Sequence, residues 1–506
     1  MKDLIESFNS KKVDYISFNI SLSVVFIIAF YILISPEKAA ITIGNLKNLI
    51  ISLFGSSFLI MTIFCFLFLI YISISNYGAY KLGGSDAEPE FSTFSWIGML
   101  FCSGIGGGII YWSGVEWGYY VSNPPFNIIP FSEEAYALST AYGLFHWGIS
   151  AWAIYGIPAL ALSVSFYKYN LNTLRLSSSL RGLGIENIEQ RIWGRLVDLI
   201  FIVATIGAAG GTIGSYIPML SSGFSSIFNI PTSFFLDFMV LTLCVSLFGY
   251  SVYSGLGKGI KKLSDLNLSL AVLFLLLVFL IGPSKEIIIS SFNGLTFMIN
   301  NFFQMSTLGI SEDSDFANNW TIFYWAWWLA FGPLVALFIA RISKGRSLRQ
   351  LILGMLFFGS MGTWLFYMIF GGYSMNLDQN QLLEVSQITG SNHADLAIQV
   401  VQTMPFDKAM LILFCSITII FVTTSYDSMS FVIAYHVQRN TRDLGDPSKH
   451  LRLFWAIVLG ILPASLIIYS SHGVALDLII LASVPLLIIY PLMAISLMKE
   501  LKNEKA

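Results

Sequence analysis

The chain has 506 residues, of which 56% are hydrophobic and 11% charged, whereas a soluble protein carries about 25% charged residues. Its 27 Lys and Arg nearly balance 29 Asp and Glu for a formal charge of -2, and no basic stripe of the kind that binds nucleic acid runs along the sequence. A chain this apolar and this long is expected to be an all-α integral membrane protein.

A spanning helix needs roughly 20 mostly apolar residues. Twelve such runs follow one another, at about 14–35, 49–75, 94–122, 136–166, 197–228, 231–253, 264–283, 319–340, 350–371, 407–436, 453–470 and 474–497. The first is too long for a removable signal peptide and lacks its small-residue cleavage pattern, so it reads as a permanent helix. Placing both termini in the cytoplasm leaves only Lys38, Lys47, Lys285 and Lys408 of the 27 Lys and Arg outside, the bias that sets orientation. The groups Arg175, Arg181, Arg191, Arg195 and Arg341, Lys344, Arg346, Arg349 fall at helix ends and read as topology signals.

The third run contains FCSGIGGGIIYWSG, with Gly104, Gly106, Gly107 and Gly108 inside five positions. Each glycine costs a helix about 1 kcal/mol relative to Ala. Small residues also permit close helix packing, but this density between two apolar halves points to an unwound segment. Freed carbonyls there would hold a cation, and half-helix amides would face a carboxylate. In the fourth run, FHWGISAWAIYGIP sets Trp147, Trp152 and Tyr155 on an arc of roughly 140°, one wall of a cavity. Residues 284–318 alternate polar and apolar positions and are expected to form an amphipathic helix on the outer surface.

The eighth run begins NWTIFYWAWWLAFG and crowds Trp320, Trp325, Trp327 and Trp328 into nine positions. Tryptophan in a spanning helix normally belongs to the interfacial belt. Several continuing inward make a wall facing protein or ligand, and indole and phenol faces attract quaternary ammonium groups. Trp327, Trp328 and Phe331 share an arc of about 100°, with Trp320 about 10 Å further out as an entrance residue. Residues 372–396 read as a polar extracellular segment with Asp378, Glu384 and Asp395. The tenth run holds FVTTSYDSMS. Hydroxyls often bond back to their own helix, yet Thr423, Thr424, Ser425, Asp427 and Ser428 crowd together, and an intramembrane Asp is a functional candidate. Hydroxyls and carbonyls are hard ligands suited to a small hard cation, with sodium the candidate.

Cys65, Cys102, Cys244 and Cys415 all lie in apolar runs without CxxC or metal-spaced His, so neither disulfide nor zinc is expected. HExxH, GxSxG and Walker loops are missing, which argues against an enzyme or ATPase and leaves no cofactor to expect. A repeat starting at the third run would have its partner at the eighth. The organisation expected is then 1–93 (two extra spans), 94–283 (first five-helix repeat), 284–318 (amphipathic linker), 319–498 (second repeat) and 499–506 (short cytoplasmic tail).

Three blocks, GIGGGIIYWSGVEWGYYVSNPPF, FHWGISAWAIYGIPALAL and WTIFYWAWWLAFGPLVALFIARISKGRS, resemble the betaine/choline/carnitine transporter (BCCT) family, over the third to tenth runs. The resemblance implies the inverted-repeat 5+5 fold of the sodium-coupled amino-acid transporters, a homotrimer in the bacterial inner membrane, and alternating-access transport of small onium compounds. It implies an aromatic box of Trp147, Trp152, Tyr155 and Trp328, adjoined by Tyr119, Trp327 and Phe331. It also implies carboxylate orientation by amides at Gly104, Gly106 and Gly108, and a sodium site of Thr424 and Ser425 with carbonyls of Cys102, Ile105 and Phe421. Retention of GxGxG resembles the sodium-coupled members, whereas ion-independent carnitine exchangers substitute an arginine, absent here from runs seven and ten. Phe331 departs from the Trp of some betaine carriers. ATIGAA offers Thr205 but Ala209 where a second sodium site would need a hydroxyl, and WSGVEWGYY resembles the carnitine branch at Trp112, Glu116 and Tyr119. The expectation is a sodium-coupled symporter of an onium zwitterion or a relative such as choline, a nutrient or osmolyte carrier. The alternatives are a sodium-independent carnitine/γ-butyrobetaine antiporter and, in another class, an onium-gated sensor or channel, which would need a continuous polar lining rather than polar clusters.

Overall fold

A computed structural model describes residues 8, 12–104, 106–171, 175–254, 257–310, 314–389, 392–438, 447–468 and 472–503. Helices α1 (Tyr15–Ile34) and α2 (Pro36–Ile74) lead into three short helices, α3 (Thr93–Gly104), α4 (Gly107–Ser113) and α5 (Trp117–Ser122). Then come α6 (Glu133–Trp147), α7 (Ile149–Lys168), α8 (Ile192–Phe228), α9 (Phe234–Ser254), α10 (Gly257–Ile281) and α11 (Ser284–Thr307). A π-turn at Ala317–Thr321 opens α12 (Ile322–Ile342), and α13 (Leu348–Gln379) contains two more, at Met355–Gly359 and Tyr367–Gly371. The chain continues through α14 (His393–Gln402), α15 (Asp407–His436), α16 (Lys449–Ile468), α17 (His472–Ser483) and α18 (Leu486–Asn503). Among the described residues the only strand-like pairings are the isolated bridges Val13 with Gln438 and Lys81 with Ser347.

Nine helical segments among the described residues are long and apolar enough to cross a bilayer. Of the other three expected runs, the third is divided into α3, α4 and α5 and the last between α17 and α18, which bend by 46°, while the seventh is the continuous helix α10, after which the chain turns by 110° into α11. Every residue of α7 from Ser150 to Ser165 is buried, so this helix is enclosed on all sides, while α1 buries only Ser17, Phe18, Ser21, Val25, Ala29 and Ile32 and lies at the periphery. Helix α12 runs along α7, α15 packs on α8, and α11 lies across α6, where Gly294 meets Thr140. The centre of the protein is therefore the α7–α12 pair, which carries most of the aromatic wall.

Several boundaries differ from the sequence expectation for identifiable reasons. Residues 36–48 are not a loop: Pro36 at the first helical position starts α2 there, its fixed φ suited to a helix start. The expected extracellular segment from 372 is helical as far as Gln379, and Asp378 accepts from Tyr136 Oη at 3.1 Å and from the Ser386 amide and hydroxyl, both at 2.8 Å. The fourth run is not one helix, because Gly148 adopts φ -104°, ψ -135° and separates α6 from α7. Trp147 therefore sits on a different helix from Trp152 and Tyr155, and the expected common arc does not apply.

The basic groups are more than topology signals. Arg346 donates to Phe91 O at 2.8 Å and Thr93 Oγ1 at 3.0 Å and stacks over Trp96, while Arg349 reaches Ser73 O at 2.6 Å. Arg346 thus pins the entry to α3 and Arg349 the end of α2. Arg175 pairs with Asp198 at 3.2 Å, and Asp198 also accepts from the Ser177 amide and hydroxyl, both at 3.0 Å. Asp427, expected as a functional acid of the tenth run, is bound by Arg452 at 3.2 Å and by Ser251 at 3.3 Å.

Removing one partner of a buried ion pair leaves an uncompensated charge, at a cost of about 3–5 kcal/mol. Arg452 retains 13% side-chain exposure, so Arg452→Met is expected to remove somewhat less, about 2–3 kcal/mol. A melting temperature several degrees lower in detergent checks this, and an unchanged one would show that the pair does not stabilise the fold.

Candidate functional site

The site grows from the end of α6. The last four carbonyls of any helix have no intrahelical partner, and in an apolar bundle they must be satisfied by other groups. Here Leu144 O accepts from Trp364 Nε1 at 2.8 Å, His146 O from Trp328 Nε1 at 2.7 Å, and Trp147 O from Thr363 Oγ1 at 2.7 Å. Glycine is required at the break, because a Cβ at Gly148 would lie 2.2 Å from Leu144 O and 2.3 Å from Trp364 Nε1. The broken backbone thus recruits one indole of α12 and two side chains of α13.

That indole brings three helices together. Trp328 meets Trp147 at 4.8 Å between ring centroids and Tyr155 at 6.0 Å, both nearly edge to face. Tyr155 continues to Trp152 at 5.5 Å. Trp147, Trp328 and Tyr155 keep 5%, 6% and 7% of their surface, whereas Trp152 keeps 1% and is pressed against Gly359, whose added Cβ would lie 2.3 Å from its ring. Trp152 is therefore packing behind the box rather than an open face of it. Trp327 stacks on Trp328 at 5.2 Å and touches Phe331 at 6.3 Å, so these residues do adjoin the box. Pro333 lacks the N–H that would bind Leu329 O, and Tyr490 Oη takes that carbonyl at 3.1 Å.

The glycine stretch lies beneath this wall. Helix α3 ends at Gly104, Gly106 is extended at φ -119°, ψ 175°, and α4 starts at Gly107. A Cβ at Gly108 would come within 2.8 Å of Trp147 Cη2 and 3.1 Å of Tyr216 Oη, so the missing side chain is what seats the indole. Ile105 is outside the described residues.

Tyr119 is not beside Trp328. Its ring lies 5.0 Å from Trp320 and its hydroxyl 3.3 Å from His393 Nδ1, in a second aromatic group with Trp112 and Tyr120. The turn at Gly114–Glu116 separates α5, which carries Tyr119, from α4, and the π-turn at Ala317–Thr321 carries Trp320. Trp112 lies 6.3 Å from Tyr324, which lies 5.7 Å from Trp147, so an unbroken aromatic tract joins Trp320 to the box.

Glu116, fully buried, lies between these two groups. Its carboxylate accepts from Tyr120 and from Tyr367, and Tyr120 Oη also sits 3.1 Å from His146 Nδ1. Tyr324, Tyr367 and His146 carry no sequence signal of their own, being single residues in apolar runs. A carboxylate in a run otherwise almost free of charge was the available signal for Glu116.

Around the tenth run, α15 is unbroken through residues 421–425 and α4 packs against it. Thr424 Oγ1 donates to Ile420 O at 2.9 Å and Phe421 O at 3.2 Å, so two oxygens expected to hold sodium share one turn. Ser425 is half-buried beside them, and Cys102 is in the last turn of α3.

The sequence model described as BCCT, betaine/carnitine/choline family transporter, matches residues 16–506. The chain is 34% identical to "Uncharacterized transporter YeaV" of Escherichia coli over 83% of this chain and 87% of that protein. It is 32% identical to a protein named "Carnitine transporter" from Acinetobacter baumannii, over 82% and 76%, and 31% identical to "Glycine betaine transporter OpuD" of Bacillus subtilis, over 93% and 91%. The chain belongs to the BCCT family and is a membrane transporter, not an enzyme.

Trp328→Phe keeps an aromatic face but leaves His146 O unpaired inside the bundle, a penalty of about 1–3 kcal/mol. The melting temperature of the purified variant is expected to fall. No change would show that this bond does not hold the α6 terminus.

Proposed function

We propose that the protein is a secondary active transporter that binds an onium zwitterion such as glycine betaine or carnitine, or the related cation choline, and moves it by alternating access together with sodium. The meeting of Trp147, Trp328 and Tyr155, from three different helices and beside a backbone break, carries this reading. Ring faces attract a trialkylammonium group, which has no N–H to offer a hydrogen bond. Gly106 and the amides that open α4 would orient the substrate carboxylate. Trp320, half-buried at the far end of the aromatic tract from the box, would stand at the entrance.

Sodium, as co-transported substrate, would be held by Thr424 and Ser425 with the carbonyls of Phe421, Cys102 and Ile105. The fit is chemical: hydroxyl and carbonyl oxygens are hard ligands, and Thr424 and Phe421 already place two of them together. One observation favours the second reading, sodium-independent exchange of precursor for product, because the Thr424 hydroxyl is engaged within its own helix. The wider assignment is twelve spans with a 5+5 inverted repeat, the third broken where substrate and ion would be handled. Both termini are placed in the cytoplasm of a bacterial inner-membrane homotrimer, with α11 on the outer surface.

Uptake of labelled glycine betaine, choline and carnitine into proteoliposomes, with and without an inward sodium gradient and with and without internal cargo, tests the coupling. Accumulation that requires the sodium gradient is expected, together with a higher sodium requirement in Ser425→Ala. Uptake indifferent to sodium but dependent on internal substrate would establish exchange instead.

A further inference from the structure

Glu116 stands apart from the groups invoked above. It is 0% exposed, and among the described residues no cationic side chain acts on it. The groups around it are donors: Tyr120 and Tyr367 bond one carboxylate oxygen each. The Trp147 indole N–H and the Tyr324 hydroxyl face the same group without completing hydrogen-bond geometry. A further chain arrives through Tyr120, since His146 Nδ1 lies 3.1 Å from its hydroxyl and His146 Nε2 lies 3.1 Å from Thr321 Oγ1. Donors converging on a carboxyl suit its ionised form, whose two oxygens only accept.

Three of these donors also line or adjoin the cage. Trp147 is a wall of the box, Tyr324 stacks on Trp328 at 5.8 Å, and Tyr367 lies 5.9 Å from Trp147. We infer that Glu116 supplies a negative charge behind the aromatic box, selecting for a cationic head group that it does not touch. The charge acts twice. It attracts the onium directly, and it draws the ring O–H and N–H bonds toward itself, which enriches the π-faces that meet the cation. This rests on the onium reading of the box.

Across one ring layer, on the order of 8 Å, and at an effective dielectric of about 20, the direct attraction corresponds to about thirtyfold in affinity. A merely structural glutamate would affect every ligand of the same shape alike. The test therefore compares choline with its neutral carbon isostere 3,3-dimethylbutan-1-ol, and glycine betaine with 3,3-dimethylbutyrate, by binding to purified wild-type protein and Glu116→Gln. The ratio of onium to isostere affinity is expected to fall by about ten- to thirtyfold in Glu116→Gln. An equal loss for both ligand types, or an unchanged ratio, would overturn the inference. Should Glu116→Gln fail to fold, Glu116→Met combined with Tyr120→Phe and Tyr367→Phe replaces the acid and its donors by apolar groups of similar shape, and the same ratio is read. Wild-type protein that binds no onium would instead defeat the reading of the box itself and leave that of Glu116 without a basis.

Discussion

The site depends on a backbone requirement: carbonyls released at Gly148 inside an apolar bundle need donors, and water is not there to provide them. Trp328, Thr363 and Trp364 meet that need from two other helices. In doing so they fix the relative position of α6, α12 and α13, and one of the capping groups is itself a face of the box. Secondary structure and packing are thus coupled at one bond, from Trp328 Nε1 to His146 O, and in the proposed function so is recognition. A side chain held by a hydrogen bond at its edge can present its face at a defined place without being filled in from both sides.

Broken helices recur wherever the aromatic tract passes. The gap at Gly104–Gly107 lets α4 approach Trp147 so closely that a Cβ at Gly108 would collide with it. The π-turns at Ala317–Thr321 and Met355–Gly359 shift register where Trp320 meets Tyr119 and where Gly359 accepts the flat of Trp152. π-bulges concentrate at functional sites because they re-aim side chains without ending a helix. The charged groups follow a different logic. Asp427 is matched by Arg452, whereas Glu116 meets the neutral donors Tyr120 and Tyr367.

What the sequence made legible follows from how local each signal is. Apolar runs, the glycine density at 104–108 and the aromatic crowding from Trp320 to Trp328 are local patterns, and they marked the long apolar helices, a helix break and the aromatic cluster of α12. Gly148 is one glycine among several in its run, and nothing nearby reveals that a Cβ there would collide with Trp364 from a helix more than 200 residues away. Tyr119 was expected to adjoin the box only through the family resemblance, and the structure sets it beside Trp320 and His393 instead. Trp152 lies in the aromatic region beside Tyr155, and Gly359 beneath it comes from a distant helix that leaves no signal in the sequence around Trp152. Pro36 was a readable start signal for α2, yet the polar residues Glu37, Lys38, Asn45 and Lys47 outweighed it in a reading based on hydropathy.

The most direct test of the account is to locate the cargo's head group, using a betaine analogue with arsenic in place of nitrogen and anomalous X-ray scattering from crystals of the complex. The account predicts one arsenic peak among the rings of Trp147, Trp328 and Tyr155, within about 6 Å of their centroids. A peak in the outer group around Trp320 and Tyr119, with none in the box, would contradict it.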